Sequence, residues 1–288
     1  MKKQGYFLTL LSAVIFGLTP TLAKITYQLG NNGITMAFLR HLIVIPILWI
    51  MIKIKGYSLK ITRKQLKDIL CVGIIGNALT VILLYTSYSY IGVGSATVLH
   101  FMYPLFVCLI YYFYYHQPLG KSTILCLLLA TVGITFFIEF NQSSLFGMIM
   151  ALTSGVFFAY YIVGVDKKRL GSLNPYVLNF YFAISIASCI LLIGGLIRQI
   201  QWTLPLKVYG YALVIAVLTS IIAIICLQQG IKYIGGSRAS IISMFEPVTS
   251  VIFGCFVLKE QLTILKIIGS ILILGSILYM IIKEENHD

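Results

Sequence analysis

Acidic residues are the scarcest feature of this chain. Asp and Glu together number 8 in 288 residues, and charges of both signs make up only 10%. A soluble domain carries roughly 25% charged residues. With 59% of its residues hydrophobic, this chain lacks the polar surface that a water-facing globule of its size needs. The same composition excludes a disordered chain, which needs low hydrophobicity. No Cys-x-x-Cys pair occurs among the six cysteines, and all six fall in apolar stretches. That removes a disulfide-stapled module and a thiolate zinc site, and leaves small core residues. Neither a His-Glu-x-x-His nor a Gly-x-Ser-x-Gly motif is present. Gly120-Lys121-Ser122 resembles the end of a phosphate-binding loop, but that loop requires glycine where Tyr115 stands. ATP hydrolysis is therefore excluded, and no metal or cofactor is expected.

What the chain has is long apolar runs. Mean hydropathy is +0.98. A helix needs about 20 apolar residues to cross ~30 Å of hydrocarbon. Runs fall at about 5–25, 33–52, 69–89, 93–114, 121–138, 145–165, 176–197, 208–228, 237–257 and 262–282. The expected class is an all-α integral membrane protein with ten transmembrane helices. Short loops leave no room for a separate soluble domain. The net charge of +13 would suit an acidic partner such as nucleic acid, but the basic residues are scattered between apolar runs. They read as topology signals and lipid headgroup contacts, with no nucleic-acid partner.

Their distribution is lopsided. Lys24, Arg198, Lys207, Lys259 and Lys266 lie on one side of a ten-span chain, Arg40 lies within a span, and the other fifteen of the 21 basic residues lie with the termini. The positive-inside rule then places both termini in the cytoplasm, in a plasma or inner membrane. Met1-Lys2-Lys3 and the apolar run after it mimic a signal peptide with Thr21-Leu22-Ala23 as a cleavage site. An internal counterpart of the same segment favours a retained span. Asn141-Gln142-Ser143 is a formal glycosylation sequon in a loop too short for ready glycan transfer.

That counterpart is part of a repeat. Shifted by 143 positions, Tyr90-Ile91-Gly92 falls on Tyr233-Ile234-Gly235, Ala96 on Ala239 and Pro104 on Pro247. Shifted by 142, Ser12, Val14 and Phe16 fall on Ser154, Val156 and Phe158. Residues 1–140 and 141–288 thus read as two copies of a five-helix unit. An odd number of spans per copy turns the second copy upside down, and inverted repeats are an architecture of secondary transporters.

Two stretches carry a family resemblance. Ala239 to Leu262 holds Met244-Phe245-Glu246-Pro247 and Lys259-Glu260-Gln261-Leu262, followed by Gly269 and Gly275. The first-half version runs from Ala96 through Tyr103-Pro104 to His116-Gln117-Pro118-Leu119 and Gly133, with Phe16-Gly17 and Leu39-Arg40 before it. The chain is similar to the EamA family of the drug/metabolite transporter superfamily. The resemblance implies ten helices around a central cavity, an exporter's role, and substrates among amino acids, amines, drugs and other metabolites. Gln117 stands where that family usually has Glu.

Polar groups inside spans are functional candidates, because a charge at the bilayer centre costs about 2.5–3.5 kcal/mol on insertion scales. Glu246 could bind a substrate ammonium group or a coupling proton or sodium ion, or serve as a paired structural carboxylate. Arg40 could hold a carboxylate, pair with Glu246, or snorkel; His41 beside it reads as interfacial. His100 and Tyr103 share a helical face, as Ser243 and Glu246 do, so both faces are expected to meet one cavity. Asn77, Tyr85 and Tyr160 complete the expected wall. Pro20, Pro104 and Pro247 mark expected kinks, since proline removes a backbone donor. The expected function is secondary-active export of a small polar metabolite, such as an amino acid or amine, by alternating access. A non-transporting receptor or scaffold is the alternative, followed by a membrane enzyme.

Overall fold

The structure is a computed structural model that describes residues 2–91, 93–137, 144–168, 170–259 and 262–285. The sequon at 141–143, the Glu260-Gln261 pair, Gly92 and the boundary between residues 140 and 141 lie outside these. Ten helical runs make up the described chain: α1 (Lys2–Gln28), α2 (Gly33–Ile54), α3 (Arg63–Ile91), α4 (Ser95–Phe113), α5 (Lys121–Thr135), α6 (Leu145–Lys167), α7 (Pro175–Leu196), α8 (Leu206–Ile234), α9 (Gly236–Leu258) and α10 (Ile264–Glu285). Among the described residues nine are long and apolar enough to span a bilayer, and α5, at 15 residues, is the short one.

Most ends follow the apolar runs. The exceptions are α8, which runs six residues past its expected end, and α3, which begins six residues before its run. There Thr62 accepts from the Gln65 amide while the Gln65 side chain accepts from the Thr62 amide, a capping box that starts the helix in polar sequence. α1 packs along α8 and α9.

The packing has the symmetry of the repeat. α1 lies on α8 and α9, and α6, five helices later, lies on α3 and α4. α2 packs on α7, and α5 on α10. Hydrogen bonds follow the same rule. Ser12 on α1 donates to the Ala223 carbonyl of α8 at 2.8 Å, and Thr80 on α3 donates to the Ser154 carbonyl of α6 at 3.1 Å. At the crossing of α5 and α10 the backbones nearly touch. A methyl group added to Gly133 would meet the Gly269 carbonyl at 2.9 Å, and one on Gly269 would meet the Gly133 carbonyl at 2.5 Å.

Irregular backbone also comes in equivalent pairs. α3 widens to a π-helix over Val72–Ala78, and α8 does so over Leu218–Ala223. α4 breaks at Phe101–Met102 before Tyr103-Pro104, and α9 breaks at Met244–Phe245 before Glu246-Pro247. The cause is the missing proline N–H, which leaves the carbonyl four residues back, on His100 or Ser243, without its helical partner. Pro20, by contrast, sits inside a continuous α1. Non-helical backbone at membrane depth is tolerated where protein covers it or a cavity adjoins it.

Candidate functional site

Residues of the two widened turns and of the α4 break, with Glu246 just after the α9 break, line a cavity of about 160 Å³ between the helices. Glu246, Arg40, His100, Asn77 and Tyr85 lie on its wall. Asn77 comes from the widened turn of α3, and its repeat equivalent Ser220 from that of α8. Widened turns of this kind recur at functional sites.

Two expected wall residues lie elsewhere. Tyr103 is fully buried behind the wall, edge-on to Phe158 at 4.8 Å and 5.6 Å from the His100 ring. Its hydroxyl lies within electrostatic reach of its repeat equivalent, Glu246. Tyr160 points toward the face bearing the termini, where its hydroxyl meets Cys71 Sγ at 3.0 Å. One residue is about 100° of helical turn, and that turn puts Tyr161, not Tyr160, on the cavity wall. His41 also departs from expectation. It is buried, lines the cavity and bonds the Ala37 carbonyl through Nδ1 at 2.7 Å.

The histidine tautomers follow from their partners. A carbonyl only accepts, so His41 carries its proton on Nδ1. Ser154 Oγ spends its proton on the Ala151 carbonyl at 2.6 Å, so His100 Nδ1, 2.9 Å from that oxygen, must donate. Nε2 is then an acceptor in both rings.

At one end of the cavity a satisfied network joins three helices. Asn179 and Gln228 exchange amide hydrogen bonds at 2.9 and 3.0 Å. The remaining Gln228 donor reaches the Tyr161 hydroxyl at 2.9 Å, and the remaining Asn179 donor reaches the Pro175 carbonyl at 2.9 Å. Both amides have spent all their donors, so this floor is fixed. Phe158 stacks on Tyr161 at 5.6 Å.

Below the floor, the face bearing the termini is tied shut. Tyr111 donates to Asp166, and Lys167 lies 4.7 Å above the Tyr111 ring and 5.0 Å above the Tyr115 ring. Lys168 pairs with Asp68 at 3.1 Å, and Tyr181 donates to the Leu59 carbonyl at 2.9 Å. These contacts tie the ends of α3, α4, α6 and α7. The opposite face has a gap instead. A second cavity of about 600 Å³ lies between α1, α4, α9 and the start of α10. It shares Pro20, Val93, Thr97 and Phe101 with the central one.

Arg40 and Glu246 on the central wall find no ion-pair partner among the described residues. Arg40 makes no ion pair or hydrogen bond with any described residue, and its Nε is sealed from solvent. Glu246 forms no ion pair with a described residue either, so the two do not neutralise each other. Tyr27 and Thr19, which the sequence did not single out, add two buried hydroxyls without partners to the same wall.

The comparisons agree with this architecture. The EamA-like transporter family matches residues 3–138 and again 145–282. The chain belongs to that family. An uncharacterized transporter, YcbK, of Bacillus subtilis (strain 168) is 25% identical over 98% of the chain and 92% of its own length. An uncharacterized transporter of Clostridium kluyveri is 24% identical over 99% and 96%. A protein of known crystal structure superposes with a TM-score of 0.84 over 100% of both chains at 14% identity, which shows the shared fold. As an EamA-family member this chain is a multi-pass membrane protein of the transporter class, built from two repeats. No group of His, Cys, Asp and Glu among its described residues could hold a metal.

Proposed function

We propose that this EamA-family chain is a secondary-active exporter of small polar metabolites, amines or amino acids among them, working by alternating access in a plasma or inner membrane. The carrying observation is the central cavity, tied shut toward the termini and adjoined by a gap on the opposite face. With the termini cytoplasmic, as the basic residues indicate, this is an outward-facing state. Inverted repeats supply the other state, because exchanging the two halves' conformations closes the gap and opens the tied face. A volume of about 160 Å³ lies below the ~300–1,000 Å³ of drug-sized sites, which favours a small solute. Glu246 on the broken α9 is the ligand for an ammonium group, and a coupling proton or sodium ion would compete for the same carboxylate. The aromatic wall adds cation–π attraction of about 0.5–2 kcal/mol.

The test is counterflow in proteoliposomes preloaded with an amine or amino acid, with no nucleotide present. Accumulation of labelled solute that is lost in Glu246→Gln supports the reading. Absence of counterflow for every amine and amino acid, or strict ATP dependence, overturns it. A receptor or scaffold would move nothing under either condition.

A further inference from the structure

We infer that the far end of the central cavity is a carboxylate subsite, separate from Glu246 and built on Arg40 with the hydroxyls of Tyr27 and Tyr85, while Tyr88 donates to Thr97; it rests on the transport reading only for its physiological use. Arg40 lies seven residues into α2, about 10 Å from the helix end at ~1.5 Å per residue. Glu246 lies twelve residues from the end of α9 on the same face, about 18 Å deep on the same measure. Arg40's charge acts on Tyr27 and Tyr88, whereas Glu246's acts on Tyr103. The two charges therefore serve different ends of one cavity.

The far end is built to hold something polar. Among the described residues the guanidinium has no hydrogen-bond or ion-pair partner, its Nε is buried without one, and so is the Tyr27 hydroxyl. Gly33 at the start of α2 leaves the space these rings use. A methyl group on it would meet the Tyr85 ring at 2.7 Å and the Tyr27 hydroxyl at 3.0 Å. Tyr85 and Tyr88 stand 5.3 Å apart, and Tyr88 is steered by Thr97 at 3.4 Å. The result is one forked cation on a wall shared with the phenolic donors of Tyr27 and Tyr85, a set that matches a planar, singly charged oxyanion. A phosphate with about −1.5 to −2 charges would find only one cation on this wall. Buried polar groups left unpaired are costly, so the subsite gains by donating to both oxygens of a carboxylate.

The test uses a probe with no amine, so that Glu246 is not engaged. Purified protein is titrated with 4-methylpentanoate, and in parallel with its isosteric amide, with binding read by calorimetry. The carboxylate should bind at least tenfold more tightly than the amide. Arg40→Gln should abolish that preference, Arg40→Lys should keep part of it, and Tyr27→Phe should weaken carboxylate binding several-fold. Tyr27→Phe and Arg40→Lys carry the test if Arg40→Gln does not fold. No saturable carboxylate binding, equal binding of acid and amide, or a preference that survives Arg40→Gln overturns the subsite. A parallel series with 3-methylbutylamine, lacking a carboxylate, reports on the Glu246-based transport reading alone. A carboxylate failure with intact amine counterflow thus sinks this subsite and leaves the transport reading standing.

Discussion

Glu246 and Gly17 touch the same turn of α9 and should respond to substitution in opposite ways. Glu246 is a cavity-facing carboxyl with no cationic partner among the described residues. Replacing it with Gln keeps the shape and removes a buried acid whose desolvation no described cation offsets. The thermal midpoint should hold or rise while transport falls at least tenfold, which thermal denaturation and counterflow together would report. A midpoint that drops sharply would point to a structural ion pair, whose loss costs about 3–5 kcal/mol. Gly17 on α1 packs directly under the break. A methyl there would lie 1.8 Å from Thr249 Oγ1 and 2.7 Å from the Glu246 carbonyl. Gly17→Val should therefore destabilise by about 1–3 kcal/mol or more, as overpacking does. Gly210→Ala, with open space around it, is the control and should leave the midpoint unchanged.

Whole helices, more than single residues, were legible from sequence, because an apolar run has one physical meaning in a bilayer. What sequence conceals at this scale is helix azimuth. Tyr160 and Tyr161 are equally polar and adjacent, and only packing decides that the second faces the cavity. His41 reads as interfacial until its carbonyl partner is seen. The start of α3 was missed because a capping box, not hydrophobicity, begins it. Of the three prolines expected to kink their helices, Pro104 and Pro247 stand just after breaks and Pro20 lies inside a continuous helix, so a lost donor alone does not decide a break. The ties between α3, α4 and α6 were not legible, because Asp68, Tyr111 and Asp166 are distant in sequence. If those ties hold one conformation, then combining Asp68→Asn with Tyr111→Phe should open the face bearing the termini. Cys71 lies beside them on α3, bonded to Tyr160. Its labelling by a water-soluble maleimide should speed up several-fold in the double variant, and an unchanged rate would deny these contacts a gating role. Burial disfavours the Lys168 ammonium, but the Asp68 hydrogen bond, reinforced by the charges of Tyr160, Cys71 and Asp68, outweighs it and holds its pKa above the ordinary lysine value. A raised pKa contributes stability that is complete below the unfolded value of about 10.4 and disappears only above it. On its lysine side, then, the latch should hold at neutral pH and loosen only under strongly alkaline conditions.

At the scale of the molecule, the two repeats make orientation a single decision that fixes everything else. Ten helical runs put both ends of the described chain on one face, and fourteen of the twenty described basic residues lie in segments on that face. Each such residue favours the cytoplasmic side, most strongly in short loops close to the membrane. The same face carries the ties that close the cavity, and the gap adjoins the opposite face. Orientation and conformational state are therefore linked. Cytoplasmic termini make this structure outward-facing, and the reverse insertion would make it inward-facing. A fluorescent reporter fused after Asp288, one that matures only in the cytoplasm, should be bright. A periplasmic-type phosphatase fused at the same point should be inactive. The opposite pair of results would invert the assignment of the two faces, and with it the side from which Arg40 and then Glu246 meet the solute.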